Sequence, residues 1–356
     1  MTILVHHVGS LGDTIVTIPA LRALRAEWPA ARIVLLHDAG SSARPEAVPS
    51  SAVLRATTLV DEFVPYARHL RGAALALEVA RVWRAIRRLA PWAAVFVGPS
   101  ERALSAIRRD RAMYRLAGVR RLYGFGPGSP ARADEAEDGG RAHEAVRKLE
   151  RLARDGVASA TNPRWLVPPL VDVEAANLRL VDTWLDEVAA PSGRLVAVGP
   201  ETLMASKLWP PACFVDIGRR LLADGWCPVV VGSGHGEGAA NDWVQQWGGG
   251  LDAAGRWPVP ESAALLSRCR AYVGVDSGVA HLAAAVTCPA VVLTSGRADI
   301  GQWNPLGPGH VVLRHRTPCE RCGERVCPVA GHPCMTGLSV DDAWAALTHV
   351  LHVSAP

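Results

Sequence analysis

The stretch Ile3-Leu4-Val5-His6-His7-Val8-Gly9-Ser10-Leu11-Gly12-Asp13 decides how the rest of the chain is read. Ile3 to Val5 form a short apolar run that predicts a buried strand. Gly9 and Gly12 predict a turn, and a helical pattern follows through Ile15, Ile18, Leu21 and Leu24. Strand, glycine-bearing turn and helix N-terminus make the unit with which an α/β protein presents free backbone N–H groups and reactive side chains. Asp13 stands on that turn and has two readings. It is a cap on the positive end of the helix, or a base aimed at a substrate that the glycines let approach.

Tyr272 to Pro289 repeats the design. Tyr272 to Val275 predict a buried parallel strand, Asp276-Ser277-Gly278 its C-terminal turn, and Ser277 the N-cap of a following helix whose first N–H groups Gly278 leaves open. His281 falls one turn inside. The arrangement suits a diphosphate at the helix end and a sugar hydroxyl at Asp276. A third element is Ser206-Lys207-Leu208-Trp209-Pro210. Lysine occurs only at positions 148 and 207 among 38 basic residues, so Lys207 is either a compact point charge for phosphate or an ordinary solvated side chain.

Ser10-Leu11-Gly12-Asp13, Lys207-Leu208-Trp209-Pro210 and Asp276-Ser277-Gly278 with His281, in this order and at these separations, resemble glycosyltransferase family 9, the ADP-heptose heptosyltransferases. The resemblance implies the GT-B fold, two Rossmann-like α/β domains facing across a cleft. It further implies inverting transfer of a heptose from ADP-heptose to an acceptor hydroxyl. The acceptor would be the lipopolysaccharide inner core or a related glycan, small molecule or protein. Asp13 and Lys207 would be catalytic, and Ser10, Gly12, Glu237, Asp276, Ser277, Gly278 and His281 would bind substrate, with no cofactor required. Departures from the family pattern lie near the expected donor site, at Gly199-Pro200-Glu201-Thr202, at Thr294-Ser295-Gly296, and at His6 and His7.

Pro318 to Met335 carries Cys319, Cys322, Cys327 and Cys334 and is similar to the corresponding segment of heptosyltransferase II proteins. Taken as residues alone, four thiols at this density would hold a structural zinc or iron, form disulfides, or pack. Only Cys319 and Cys322 have the Cys-x-x-Cys spacing of a zinc hairpin, so a compact structural loop is expected. Cys213, Cys227, Cys269 and Cys288 are scattered among apolar residues and are expected in the core. A non-enzymatic interaction protein built around a metal-bound cysteine loop is the competing reading, as is a transferase using another nucleotide sugar.

Val229-Val230-Val231-Gly232-Ser233-Gly234-His235-Gly236-Glu237 has the outline of a dinucleotide fingerprint, but Glu237 stands where a third small residue should permit close helix packing. A dehydrogenase is therefore disfavoured. The family resemblance makes Glu237 a candidate for the ribose hydroxyls; the alternative is an acid that merely starts the next helix.

A length of 356 residues, 49% hydrophobic and 20% charged, predicts two domains of an ordinary globular protein. The expected division is an acceptor-binding domain over 1–165 and a nucleotide-sugar-binding domain over 166–356, the latter with the cysteine-rich loop (319–334) and a C-terminal helix. Strands are predicted at Ile3 to Val5, Arg32 to Leu36 and Ala94 to Val97 in the first. In the second they fall at Leu195 to Val198, Pro228 to Val231, Tyr272 to Val275 and Ala290 to Leu293, with a helix over Val173 to Ala189 and a mobile loop over Gly126 to Gly140. No signal peptide or membrane span is read, so a cytoplasmic enzyme is expected. The chain is only +4 overall, yet 13 arginines fall between Tyr66 and Phe125 against Glu78, Glu101 and Asp110. With few aromatics for stacking, nucleic acid is not the expected partner. The anionic inner membrane surface, or an acidic acceptor, is.

Overall fold

The computed structural model describes residues 1–39, 48–55, 57–67, 70–126, 142–236, 238, 242–299 and 301–353. The loop expected over Gly126 to Gly140 lies, apart from Gly126, outside the described residues. The chain divides into two compact units, Met1–Val167 and Pro168–Pro356.

The first unit is a parallel sheet of β1 (Thr2–His6), β2 (Arg32–Asp38), β3 (Glu62–Tyr66), β4 (Ala93–Phe96) and β5 (Arg121–Tyr123), in spatial order β3-β2-β1-β4-β5. Leu4, Val34, Leu36, Ala94 and Phe96 pack on Val82, Ile86, Ile107 and Tyr114 from its helices. The second unit is a parallel sheet of β6 (Leu195–Gly199), β7 (Cys227–Val230), β8 (Leu251–Asp252), β9 (Ala271–Val275), β10 (Ala290–Thr294) and β11 (Val311–Arg314), ordered β11-β10-β9-β6-β7-β8. Its central strands are apolar on both faces because helices cover both. Trp209 sits in this core, 1% exposed, edge-on to Phe214 with its indole N–H donating to Leu338 O.

Each sheet reverses its strand order at one place, between β1 and β4 in the first unit and between β6 and β9 in the second. Loops leaving the carboxyl ends of such a strand pair diverge to opposite faces and leave a crevice, which is where open parallel sheets bind ligands. In the second unit the two strands approach closely. A Cβ on Gly274 would meet Gly199 O at 2.4 Å, and one on Gly199 would meet the Tyr272 hydroxyl at 2.2 Å.

The helical pattern expected through Ile15, Ile18, Leu21 and Leu24 is broken in two, Leu11–Ile15 and Ile18–Glu27. Pro19 explains the break, since it lacks an N–H and its ring excludes the carbonyl four residues back. The helix read over Val173 to Ala189 runs Ala175–Glu187. Cys227, Cys269 and Cys288 are buried and Cys213 is partly so. Among the described residues no helix is long and apolar enough to cross a membrane.

Candidate functional site

In the first unit, Ser10, Gly12 and Asp13 follow β1 at the switch point. Gly9 has φ +146°, and a Cβ there would lie 2.2 Å from that of Asp13, so the turn closes over the carboxylate only because residue 9 is glycine. Ser10 N donates to Asp13 Oδ2 at 3.0 Å, half of a capping box at the start of helix Leu11–Ile15. The cap is therefore real. Asp13 is only partly buried.

His6 and His7, the unusual pair ending β1, are structural. His6 lies edge-on to Tyr66, Phe96 and Tyr114, and His7 Nδ1 is 2.9 Å from Ser50 Oγ, which also receives the Thr14 hydroxyl.

Facing the same strand ends, helix Glu144–Arg154 carries a buried charged cluster that the sequence reading missed. Glu144 Oε1 accepts from Ser100 N (2.8 Å) and Ser100 Oγ (2.9 Å) in the loop after β4. Lys148 Nζ stands 3.9 Å from the same oxygen, Arg147 Nη1 is 3.6 Å from Glu144 Oε2, and Arg151 donates to Gly98 O at 2.8 Å. The signal was the rarity of lysine: position 148 is the second of two. A concavity of about 440 Å³, lined by Arg22, Arg25, Pro29, Leu59, Arg164 and Trp165, lies by the C-terminal half of helix Ile18–Glu27.

In the second unit, Lys207 ends a short 3₁₀ turn, Ala205–Lys207, fixed on one side by buried Trp209. Its ammonium donates to Asp276 Oδ2 at 2.7 Å and to Asp276 O at 3.2 Å. Asp276 follows β9 and is buried. Burial alone would raise its pKa, but Lys207, His281 and Arg297 together hold it below the ordinary carboxylate value. Ser277 is the N-cap of helix Gly278–Ala285 by position, without a side-chain cap bond. His281 is buried one turn in. Lys207, Asp276, Ser277, Gly278 and His281 thus converge at one switch point. Beside Asp276 lies a small cleft of about 130 Å³ lined by Thr294, Ser295, Asp299, Trp303 and Arg314, among others.

Glu237 lies outside the described residues. The glycine loop before it is satisfied from within: Glu201 accepts from Ser233 N (3.0 Å), Gly234 N (3.1 Å) and Gly236 N (3.3 Å). A loop that cradles anions is filled here by the chain's own carboxylate, which accounts for the acid in Gly199-Pro200-Glu201-Thr202.

The cysteine-rich segment braces the lysine turn. Ser206 N donates to Arg325 O at 3.0 Å, Ser206 Oγ to Glu324 O at 2.7 Å, and the His332 ring lies 3.0 Å from Ser206 O. Arg297, which bears on Asp276, donates to Glu324 O and Gly323 O. All eight cysteines are free thiols, and among the described residues no three His, Cys, Asp or Glu side chains gather as a metal set. Cys319, Cys322 and Cys327 all bear electrostatically on the buried Cys334.

Residues 179–332 match the family model described as glycosyltransferase family 9 (heptosyltransferase). A 129-residue stretch is 30% identical to lipopolysaccharide heptosyltransferase 1 of Pseudomonas aeruginosa, covering 35% of this chain and 35% of that protein. The match thus spans about a third of that relative's length. Two solved structures share the fold over nearly the whole chain. A family 9 glycosyltransferase from Veillonella parvula aligns with TM-score 0.74 and 16% identity, covering 99% of this chain and 97% of that one. The ADP-heptose heptosyltransferase II of Escherichia coli aligns with TM-score 0.69 and 19% identity, covering 99% of both chains. The architecture is that of the GT-B glycosyltransferases.

Proposed function

We propose that the chain is a member of glycosyltransferase family 9, whose model matches residues 179–332, and that it moves a heptose from ADP-heptose to an acceptor hydroxyl with inversion at the anomeric carbon. The observation that carries this reading is the Lys207–Asp276 pair at the N-terminus of helix Gly278–Ala285, a cation and a set of free N–H groups at a ligand-binding switch point.

In this reading Asp13 takes the proton of the acceptor hydroxyl as its oxygen attacks the anomeric carbon. The bond from that carbon to the diphosphate oxygen breaks on the opposite face, and ADP departs with growing negative charge. Lys207 and the N–H groups at Ser277 and Gly278 would meet that charge. Asp276 and His281 set the electrostatics around Lys207 and reach toward the sugar and nucleotide. Because lysine and backbone N–H groups supply the positive potential, the reading draws on no cofactor.

The acceptor proposed is the lipopolysaccharide inner core, reached from the cytoplasmic side. Helix Gly72–Leu89 supports a peripheral approach to an anionic membrane. Leu75, Leu77 and Val79 are exposed on it alongside Arg81, Arg84, Arg87 and Arg88, a pairing of apolar and basic side chains that suits lipid headgroups.

Thermal shift with ADP, UDP, GDP and CDP tests the donor half directly, since a ligand that binds only the folded state raises apparent stability. ADP is expected to raise the melting temperature most. Preference for another nucleotide would move the protein to a different donor.

A further inference from the structure

Four glycines alternate through Gly232-Ser233-Gly234-His235-Gly236-Glu237-Gly238, a pattern that the chemistry proposed above leaves unused. The structure shows what the pattern fits around. A Cβ on Gly232 would lie 2.6 Å from Glu201 Cδ. One on Gly236 would meet Thr202 O at 3.1 Å and Glu201 Cβ at 3.2 Å, and one on Gly238 would meet Pro200 O at 3.0 Å and Leu208 Cδ2 at 3.3 Å. Three of the four glycines therefore let the loop after β7 close on residues 200–208, the segment after β6 that carries Lys207. The other, Gly234, has φ +73°, which glycine adopts without steric cost.

Glu201 is the group on which the loop closes. It is 7% exposed. Its carboxylate accepts from Ser233 N at 3.0 Å, Ser233 Oγ at 3.1 Å, Gly234 N at 3.1 Å and Gly236 N at 3.3 Å, while His235 N donates to the Ser233 hydroxyl at 3.2 Å. The N–H groups of residues 233 to 236 thus converge on one carboxylate, directly or through one hydroxyl. Local stability does not call for this. Gly234 and His235 are exposed, so water can serve their N–H groups, and taking a carboxylate out of water is costly before its hydrogen bonds return anything. What the arrangement secures is the relative position of two loops.

One of those loops holds the donor-side cation. Residues 200–208 are tied in three directions: to the loop after β7 through Glu201, to the cysteine-rich segment through Ser206, and to the loop after β9 through Lys207 and Asp276. Each tie ends at the carboxyl edge of the same parallel sheet, where such sheets bind ligands.

We propose that Glu201 is a positioning residue for the donor: by drawing the glycine loop after β7 onto the segment that carries Lys207, it holds that ammonium where the diphosphate is bound. The proposal rests on the reading of Lys207 as the donor-side cation. A carboxylate suits the task because it accepts several N–H groups at once, which an amide or a hydroxyl cannot match.

The test is ADP binding to Glu201→Ala by titration calorimetry, with sodium formate or with sodium chloride at equal ionic strength. The Kd for ADP should rise about tenfold or more, the scale of one charge-assisted hydrogen bond. Formate, a carboxylate small enough for the space left by the side chain, should recover at least about threefold of that loss, roughly half of it in free energy. Hydrogen exchange on the ligand-free proteins gives a second reading. Lys207 N and Leu208 N, which donate to Met204 O and Ala205 O, should exchange faster in the variant together with residues 233–236, while helix Gly278–Ala285 keeps its protection. Glu201→Gln, which keeps the size and turns an N–H donor toward the loop, serves if the alanine variant does not fold, with the same direction expected in binding and exchange. Unchanged ADP affinity in a folded variant, exchange that stays slow at Lys207 and Leu208, or a loss in Glu201→Ala that formate leaves untouched overturns the proposal. Wild-type protein that binds no ADP, or Lys207→Ala that binds it equally well, would instead remove the donor reading, a failure told apart because the exchange comparison reads the tie without ligand.

Discussion

Lys207 and Asp276, 69 positions apart in sequence, are joined by a 2.7 Å charge-assisted hydrogen bond at the place where the second sheet reverses its strand order. The contact links the loop after β6 to the loop after β9, so the cation proposed to meet the departing diphosphate is held in register with the helix N-terminus that would share the task.

Lys207→Ala should lower kcat/KM for the ADP-sugar by about a hundredfold to a thousandfold, the usual effect of removing one preorganised donor from a developing negative charge. Trp209 remains buried in the variant, so the fold should persist. Steady-state donor kinetics on a protein with a normal circular dichroism spectrum check this, and unchanged kinetics would remove Lys207 from the leaving-group role.

The same pair gives a pH dependence. Asp276 has a folded pKa below its unfolded value, so its contribution to stability is complete above roughly pH 4 and is lost as the pH falls through the folded value. Without Lys207 the burial that raises its pKa is less opposed. Melting temperatures measured from pH 3 to 7 should therefore show the acid decline of Lys207→Ala beginning roughly half to one pH unit higher than in wild type. Superimposable acid limbs would mean that the pair is not coupled.

Gly274→Ala should destabilise the second unit by about 2–4 kcal/mol, because the new methyl group has no room against the backbone of β6 and overpacking a rigid core is costly. Denaturant unfolding measures the loss; a change under about 0.5 kcal/mol would show that β6 and β9 can separate without penalty.

Thiol reactivity should follow burial. Cys322 is exposed, whereas burial pushes the Cys288 thiol up to about 12 and the Cys269 thiol well above its ordinary value. Alkylation at pH 8 followed by mass mapping should label Cys322 first and reach Cys269 and Cys288 only on unfolding. Early labelling of Cys288 would contradict the packing of the second core.

The central strands and both glycine turns were legible because buried parallel strands are continuous apolar runs and the turns carry glycine. The four strands that went unread, β3, β5, β8 and β11, are the four sheet edges. Glu62–Tyr66 and Val311–Arg314 are only partly buried and Leu251–Asp252 has two residues, so these edge strands lack the bounded, fully buried run of the central ones even where, as at Val311-Val312-Leu313, the residues are apolar. At the sites, residues adjacent to a turn were readable from spacing. Glu201 and Glu144 were not, because each acts through backbone N–H groups that only the folded chain brings to it. Lys148 left a trace in composition alone.

Asp13→Asn tests the account most directly. Asparagine caps a helix about as well as aspartate, so the variant should melt within about 1 kcal/mol of wild type and bind ADP normally. It cannot take a proton from the acceptor. Measured as heptose transfer from ADP-heptose to a heptose-deficient lipopolysaccharide core, turnover should fall by about a hundredfold or more, the scale of general-base catalysis. Near wild-type turnover in the folded Asp13→Asn protein would contradict the account and leave the bond from Ser10 N to Asp13 as a helix cap and nothing more.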